Sequence, residues 1–369
     1  MSRHTLQTST AQQKISNFLY AEDSATAVPQ RFVEFCRHSV QGIRGNVLYA
    51  DPADPLQFGR TEYDGAESCT LNLKPVNEQN LVPLQPIHTS RPVVAVDTST
   101  LKLGELEDGV LCALRGAIVL LENGRYRFVR YGPFVFLLSY NPLASEHLAN
   151  IGLPPFSPEP NIDNHLKRVR NMLERWLQLN VSLSTHDAFV LIDGSLTAGT
   201  PDNPSRELER ILENTHRSNS VLIAISKKTR LRVNDQSLTE LLKEQRDPCL
   251  LDVDAEVAEQ FPPYPVRFLG RVFVGKLARL GYPFRIDLDR HVLPIHAPRE
   301  FSELMGTDIV DQGYPETLRL AHIFSTFTAT DVLAMQSFAS AHLGVQLMPK
   351  VALRRSLFGP FGTAWESYH

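Results

Sequence analysis

Two short apolar runs each deliver one aspartate into a turn of small residues, and this repeated pattern constrains the chain most. One run is Ala188-Phe189-Val190-Leu191-Ile192-Asp193-Gly194-Ser195-Leu196; the other, upstream, is Pro92-Val93-Val94-Ala95-Val96-Asp97-Thr98-Ser99. Each is too short for a helix and reads as a buried strand. A strand ending at Asp193 would place that acid where open α/β sheets commonly carry their chemistry. A lone carboxylate buried there is costly unless a cation or hydrogen bonds compensate it. If the two strands are neighbours and both end in Asp, two carboxylates meet. That is the start of a divalent-cation site, because Mg²⁺ and Mn²⁺ favour oxygen ligands. For either run alone, an Asp that merely caps a turn or helix is the plainer reading.

The rest of the composition narrows the class. With 369 residues, 43% hydrophobic and 21% charged, the chain can bury a substantial core as one large domain or two ordinary ones. The net charge of −4 argues against a globally basic nucleic-acid binder, but it leaves room for a local basic channel. Cys36, Cys69, Cys112 and Cys249 lack CxxC or CxxH spacing, so neither a zinc site nor a disulfide framework is expected. That usage, a polar N-terminus and the lack of a long apolar stretch give the expectation of a soluble cytoplasmic protein with no membrane partner.

In chain order, residues 1–40 read as helical, with Phe18, Leu19, Phe32, Val33 and Phe35 as apolar contacts for the protein's own core, a partner or a second copy. Residues 41–90 are rich in Pro, Gly, Asn and Asp and read as irregular with one or two short strands. Strands are then expected at about 92–97, at 109–121 and, after the Asn123-Gly124 hairpin signal, from Tyr126 to Ser139 with a break near Gly132-Pro133. Helical spacing follows at 165–180, a strand through Asp193, a helix at 204–216 and a strand at 220–226. Three strands, helix, strand, helix, strand is the ribonuclease H-like order: an antiparallel meander followed by parallel strands, flanked by helices. Residues 236–260 read as helical, 265–275 and 283–289 as an extra hairpin, and 316–324 and 328–343 as helices. The domain reading is 1–90 as an N-terminal region, 91–345 as the α/β domain with an insertion at 236–312, and 346–369 as a tail.

Other residues could join the two aspartates. Glu174 lies beside the apolar face of its helix; it is either a rim residue paired with Arg170 and Gln178 or a third carboxylate. His322, two turns after Tyr314, is either structural or a ligand and acid–base group. Lys227, Lys228, Arg230 and Arg232 follow a strand closely and form either a solvated loop or a phosphate-binding one, with Lys227 nearest the strand end. The segment from Gly270 to Leu277 has P-loop spacing, but Leu277 stands where a hydroxyl is needed, so nucleotide binding is rejected. Asp287-Leu288-Asp289 and Asp252-Val253-Asp254 are read as surface acids.

Together, Val-Ala-Val-Asp97, the helix around Glu174, Leu-Ile-Asp193-Gly-Ser-Leu, Ile-Ala-Ile-Ser-Lys227 and Gly-Tyr314-Pro-x-x-Leu-x-x-Ala-His322 resemble the NurA nuclease family over roughly 90–325. The first motif departs from the commoner Asp-Gly-Ser by reading Asp97-Thr98-Ser99. The resemblance implies a Mn²⁺-dependent nuclease, with Mg²⁺ as the alternative ion, that cuts single-stranded DNA and resects DNA from 5′ ends. It implies a homodimer that works with the HerA translocase. It places Asp97, Glu174, Asp193 and His322 on one or two ions, Tyr314 on substrate or water and Lys227 on a phosphate. Two other readings remain: a weakly active or inactive DNA-binding assembly partner of such a motor, and a ribonuclease H-like enzyme acting on RNA.

Overall fold

The computed structural model describes residues 28–50, 71–73, 81–141, 161–199, 203–260 and 266–349. The main sheet has eleven strands: β1 (Val47–Ala50), β2 (Leu81–Pro83), β3 (Val93–Leu106), β4 (Gly109–Glu122), β5 (Arg125–Ser139), β6 (Phe189–Asp193), β7 (Val221–Ser226), β8 (Cys249–Asp252), β9 (Gly270–Lys276), β10 (Phe284–Asp289) and β11 (Gln346–Pro349). The helices are α1 (Gln30–Ser39), α2 (Ile162–Ser184), α3 (Ser205–Arg217), α4 (Asp254–Gln260), α5 (Ala297–Thr307), α6 (Glu316–Ser325) and α7 (Ala329–Phe338).

The sheet is built outward from β3. On one side β4 and β5 complete an antiparallel meander. On the other, β6 and then β7 pair in parallel. The order β5-β4-β3-β6-β7, with α2 and α3 in the crossovers, is the ribonuclease H-like arrangement expected from the sequence. Every residue of β4 is buried, which explains its nearly unbroken apolar run. Beyond β7 the sheet continues antiparallel through β10, β9, β8 and β2. The hairpin expected at 265–289 is therefore continuous with the main sheet.

Two layers cover this sheet, and strand alternation sorts the side chains between them. Val94, Val96, Val190 and Ile192 face Leu166, Leu173 and Leu177 of α2 and Leu208 and Ile211 of α3. Val93, Ala95, Phe189, Leu191 and Ile223 face Phe301 and Leu304 of α5 and Leu318 and Ala321 of α6. Asp97 and Asp193 continue the odd-numbered series, so their backbones aim them toward α6. Helix α1 packs Phe32 into the first layer, against Phe134 and Trp176. Phe18 and Leu19 lie outside the described residues.

Three expectations are corrected. Strand β3 does not end at Asp97; it runs on to Leu106, with a register shift between Lys102 and Gly104. The polar Thr98-Ser99-Thr100 stretch looks like a turn in sequence, but its continued pairing with β4 satisfies the backbone. Residues 236–260 are not one helix: a 3₁₀ turn (Leu238–Leu242), β8 and α4 divide them, because Cys249–Leu251 pair with both β2 and β9. Asp287, Asp289 and Asp254 are not surface acids; they are 1%, 2% and 6% exposed. Their strand β10 and the α4 start are interior, and Arg285, His291 and Arg290 pair with them.

Among the described residues no helix is long and apolar enough to cross a membrane. Cys36, Cys112 and Cys249 are buried free thiols. Burial pushes the Cys36 thiol up to about 12, so it is not a nucleophile at neutral pH.

Helix α6 is anchored to the sheet chiefly by Leu318 and Ala321. Leu318→Ala removes a fully buried side chain and should cost about 2–5 kcal/mol. Urea denaturation checks this: the midpoint should fall while the slope is unchanged.

Candidate metal centre

The site exists because β3 outruns β6. The two strands pair in parallel from Val93↔Phe189 to Val96↔Ile192, and β6 stops one residue later at Asp193. Asp97 and Asp193 therefore fall side by side where the parallel ladder ends, while β4 still holds β3 on its other edge. A Gly194 with φ of 115° turns the chain away, a backbone state that favours glycine. Helix α6 then lays His322 over this edge.

The result is a cluster: ligand atoms of Asp97, Asp193 and His322 all lie within 4.8 Å of one another. Its floor is buried and its mouth open, since the side chains of Asp97 and Asp193 are 10% and 24% exposed and that of His322 is 52% exposed. His322 Nδ1 lies 2.8 Å from Asp97 Oδ2. An ionised carboxylate can only accept, so Nδ1 carries the hydrogen. The same two atoms are close enough to become neighbouring ligands of one cation, which would take the place of that hydrogen. Ser325 Oγ, one turn along α6, lies 3.1 Å from the same Asp97 oxygen.

The charges explain one another. Burial would raise the Asp97 carboxyl, but the His322 hydrogen bond and charge, with Arg170 behind them, hold it below the usual carboxylate range. Asp193 goes the other way: burial raises it, Lys227 lowers it and the Asp97 charge raises it again, leaving it high. Lys227 Nζ donates to Asp193 Oδ2 at 2.7 Å and sits 5.2 Å from the Tyr314 ring centre. The Tyr314 hydroxyl is buried without a hydrogen-bond partner of good geometry. Burial and the Asp193 and Asp97 charges push its phenol well above the ordinary value, so it stays protonated.

Glu174 reaches the edge from the opposite face. Thr98, next to Asp97 and pointing toward α2, donates to Glu174 Oε2 at 3.1 Å, and Gln178 donates to Oε1 at 2.9 Å. Burial raises the Glu174 carboxyl, Arg170 lowers it, and Asp97 raises it across the strand. Glu174 is thus electrostatically coupled to the cluster and stands outside its 4.8 Å circle. The remaining basic residues are spread out. Lys228 and Arg230 lie exposed beyond β7, and Arg232 is on a short strand where it donates to the Asp235 carbonyl at 3.0 Å. Of the four cations, Lys227 is the one hydrogen-bonded to the cluster.

Sequence reasoning passed over Ser325 and Thr98. The first was visible as a serine one helical turn after His322. The second was seen only as a departure from a motif, yet its hydroxyl is the Glu174 partner.

The donors suit a small divalent ion. Two carboxylate oxygens and an imidazole match Mn²⁺ or Mg²⁺ preferences. Burial and the Asp97 charge keep the Asp193 carboxyl raised despite Lys227 and His322, so a cation beside it would be favoured.

No protein-family model and no curated protein matches the sequence. Among solved structures, the fold is similar to that of the NurA nuclease from Sulfolobus solfataricus, with a TM-score of 0.49 and 14% identity over 70% of this chain and 86% of that one. It is also similar to NurA bound to dAMP and manganese, with a TM-score of 0.40 and 10% identity over 68% and 87% of the two chains. For NurA with manganese the TM-score is 0.40 and the identity 7%, over 70% and 90%.

A stability test follows from Asp193. A carboxyl whose folded pKa is raised gives its stabilising contribution below the unfolded pKa and loses it as pH rises through the folded pKa. Ionised Asp193 is therefore a liability at neutral pH. In EDTA, Asp193→Asn should raise the melting temperature at pH 7, and the gain should disappear below about pH 4, where the group is protonated in both states. Thermal unfolding at both pH values checks the sign.

Proposed function

We propose that this chain is a metal-dependent deoxyribonuclease that hydrolyses phosphodiester bonds at the Asp97–Asp193–His322 cluster. The carrying observation is that cluster: two carboxylates and an imidazole converging at an open sheet edge, with a lysine and a buried tyrosine beside them. The motif resemblance supports the finer reading. On it, the enzyme is a 5′ to 3′ exonuclease and single-strand endonuclease, homodimeric and Mn²⁺-dependent. It acts in DNA end resection and repair with a HerA-type translocase.

Asp97, Asp193 and His322 would hold the ion, with Glu174 the nearest further carboxylate. A bound divalent ion neutralises phosphate charge and supplies an activated water. The chain's own residues do the rest. Asp97 orients the His322 ring through its contact with Nδ1. Lys227 neutralises Asp193; once that carboxylate is neutralised otherwise, Nζ is free to meet a backbone phosphate. Tyr314, protonated at working pH, can donate a hydrogen bond to a phosphate oxygen or a water. His322, half exposed at the mouth, can hold the ion through Nδ1 beside Asp97 or, where it does not, pass a proton to the leaving oxygen. No serine or cysteine nucleophile is needed. Lys228, Arg230 and Arg232 extend the cationic side beyond Lys227 for a passing DNA backbone.

The test compares wild type with Asp193→Asn and Asp97→Asn on end-labelled single- and double-stranded DNA and on RNA, with Mn²⁺, Mg²⁺ or EDTA. The expected result is DNA cleavage by wild type with Mn²⁺, background cutting in EDTA, and background cutting by both folded variants. Equal cutting by wild type and variants contradicts the site. No cutting by any of them, even with a HerA-type partner added, favours a DNA-binding assembly role instead.

A further inference from the structure

The turn that carries Asp193 is held by a buried ion pair. On β10, Arg285 Nε and Nη2 donate to the two oxygens of Asp287 at 2.7 and 2.8 Å. Arg285 is fully buried and Asp287 is 1% exposed. The pair reaches the Asp193 turn directly. Asp287 Oδ2 accepts from the Leu196 backbone N–H at 2.9 Å, and Arg285 Nη2 donates to Thr197 Oγ1 at 3.1 Å. Gly270 on β9 makes room for this approach: a Cβ there would lie 2.7 Å from Leu196 Cδ1 and 3.1 Å from Asp287 Cβ.

Other bonds fix the near side of the same turn. Ser226 Oγ donates to the Gly194 carbonyl at 2.6 Å, and Gly194 N–H donates to Ile225 O at 3.0 Å. Three of the four residues after Asp193, Gly194, Leu196 and Thr197, are thus held from β7 or from β10. A buried charge pair is an expensive way to fill a core, and apolar residues of similar volume often do as well for stability. What apolar residues cannot do is accept a hydrogen bond from Leu196.

We propose that Arg285 and Asp287 are positioning residues for Asp193. Asp193 and Asp97 repel, and a free turn would relax by swinging Asp193 outward. The Asp287–Leu196 bond keeps the turn in place before any cation arrives, and the two Arg285 hydrogen bonds keep Asp287 aimed. The inference rests on the cluster being a divalent-cation site. Removing an outer partner of a metal ligand typically weakens binding about 10- to 100-fold.

Titration with MnCl₂ alone, by calorimetry, tests this on the full chain, with thermal unfolding run alongside. The double variant Arg285→Met/Asp287→Leu removes the pair without orphaning a charge. It should bind Mn²⁺ about tenfold more weakly or worse while still melting cooperatively. Arg285→Met/Asp287→Asn restores only the acceptor for Leu196 and should recover most of the affinity. Leu288→Ala, which empties core on the other face of β10, should lower the melting temperature and leave affinity unchanged. Should the double variant not fold, Arg285→Lys keeps the charge but loses the fork and should still weaken Mn²⁺ binding. Wild-type affinity in a folded Arg285→Met/Asp287→Leu, or in Arg285→Lys, overturns the proposal while leaving the cluster intact. A wild type that binds no Mn²⁺ overturns the cluster and this proposal together.

Discussion

Two carboxylates cannot share a buried edge of a sheet without positive charge between or around them. Asp97 and Asp193 are put side by side by strand register, and the surrounding groups answer that repulsion. His322 and Arg170 compensate Asp97. Burial raises Asp193 and Lys227 compensates it only in part, so that carboxyl remains raised. The residual deficit is what makes the cluster receptive to a divalent cation, and the open side of His322 gives such an ion access.

The register depends on unequal strand lengths. If β3 stopped where β6 does, Asp97 would sit on a loose turn and its direction would not be set. Because β4 pairs with β3 well beyond Asp97, this acid belongs to a rigid central strand. Asp193 is at a strand end and needs help, which comes from the Gly194 conformation, Ser226 and the β10 pair. One acid is held by the sheet and its partner by a clamped turn. Two helices complete the edge from opposite faces: α6 brings His322 and Ser325, and α2 brings Glu174 to Thr98.

Much of this was legible in the sequence. The apolar runs of β4, β6 and β7, the Asn123-Gly124 turn and the α2 periodicity fix the strand and helix order, because burial on one or both faces leaves a direct pattern. Asp97, Asp193, Lys227, Tyr314 and His322 were visible as chemistry-bearing residues at strand ends and on one helix, and the fold brings them together. Other features were hidden for identifiable reasons. The length of β3 was masked by hydroxyl residues whose backbone pairing, rather than hydrophobicity, keeps them in the strand. Asp287 looked like a surface acid because its neutralising partner, Arg285, points to the same face two residues earlier and only a structure shows that face to be interior. Of the two hydrogen bonds that hold Glu174, the one from Gln178 was visible at i,i+4 on the same helix; the one from Thr98 comes from another element, which no single-segment pattern reveals.

The central claim is that Asp97, Asp193 and His322 form a divalent-cation site. Anomalous diffraction at the manganese edge from crystals soaked in MnCl₂ tests it most directly. The account predicts an anomalous peak bounded by the two carboxylates and the His322 ring, with the Lys227–Asp193 contact loosened. Strong manganese peaks elsewhere with none at this cluster, and Lys227 still seated on Asp193, would contradict it.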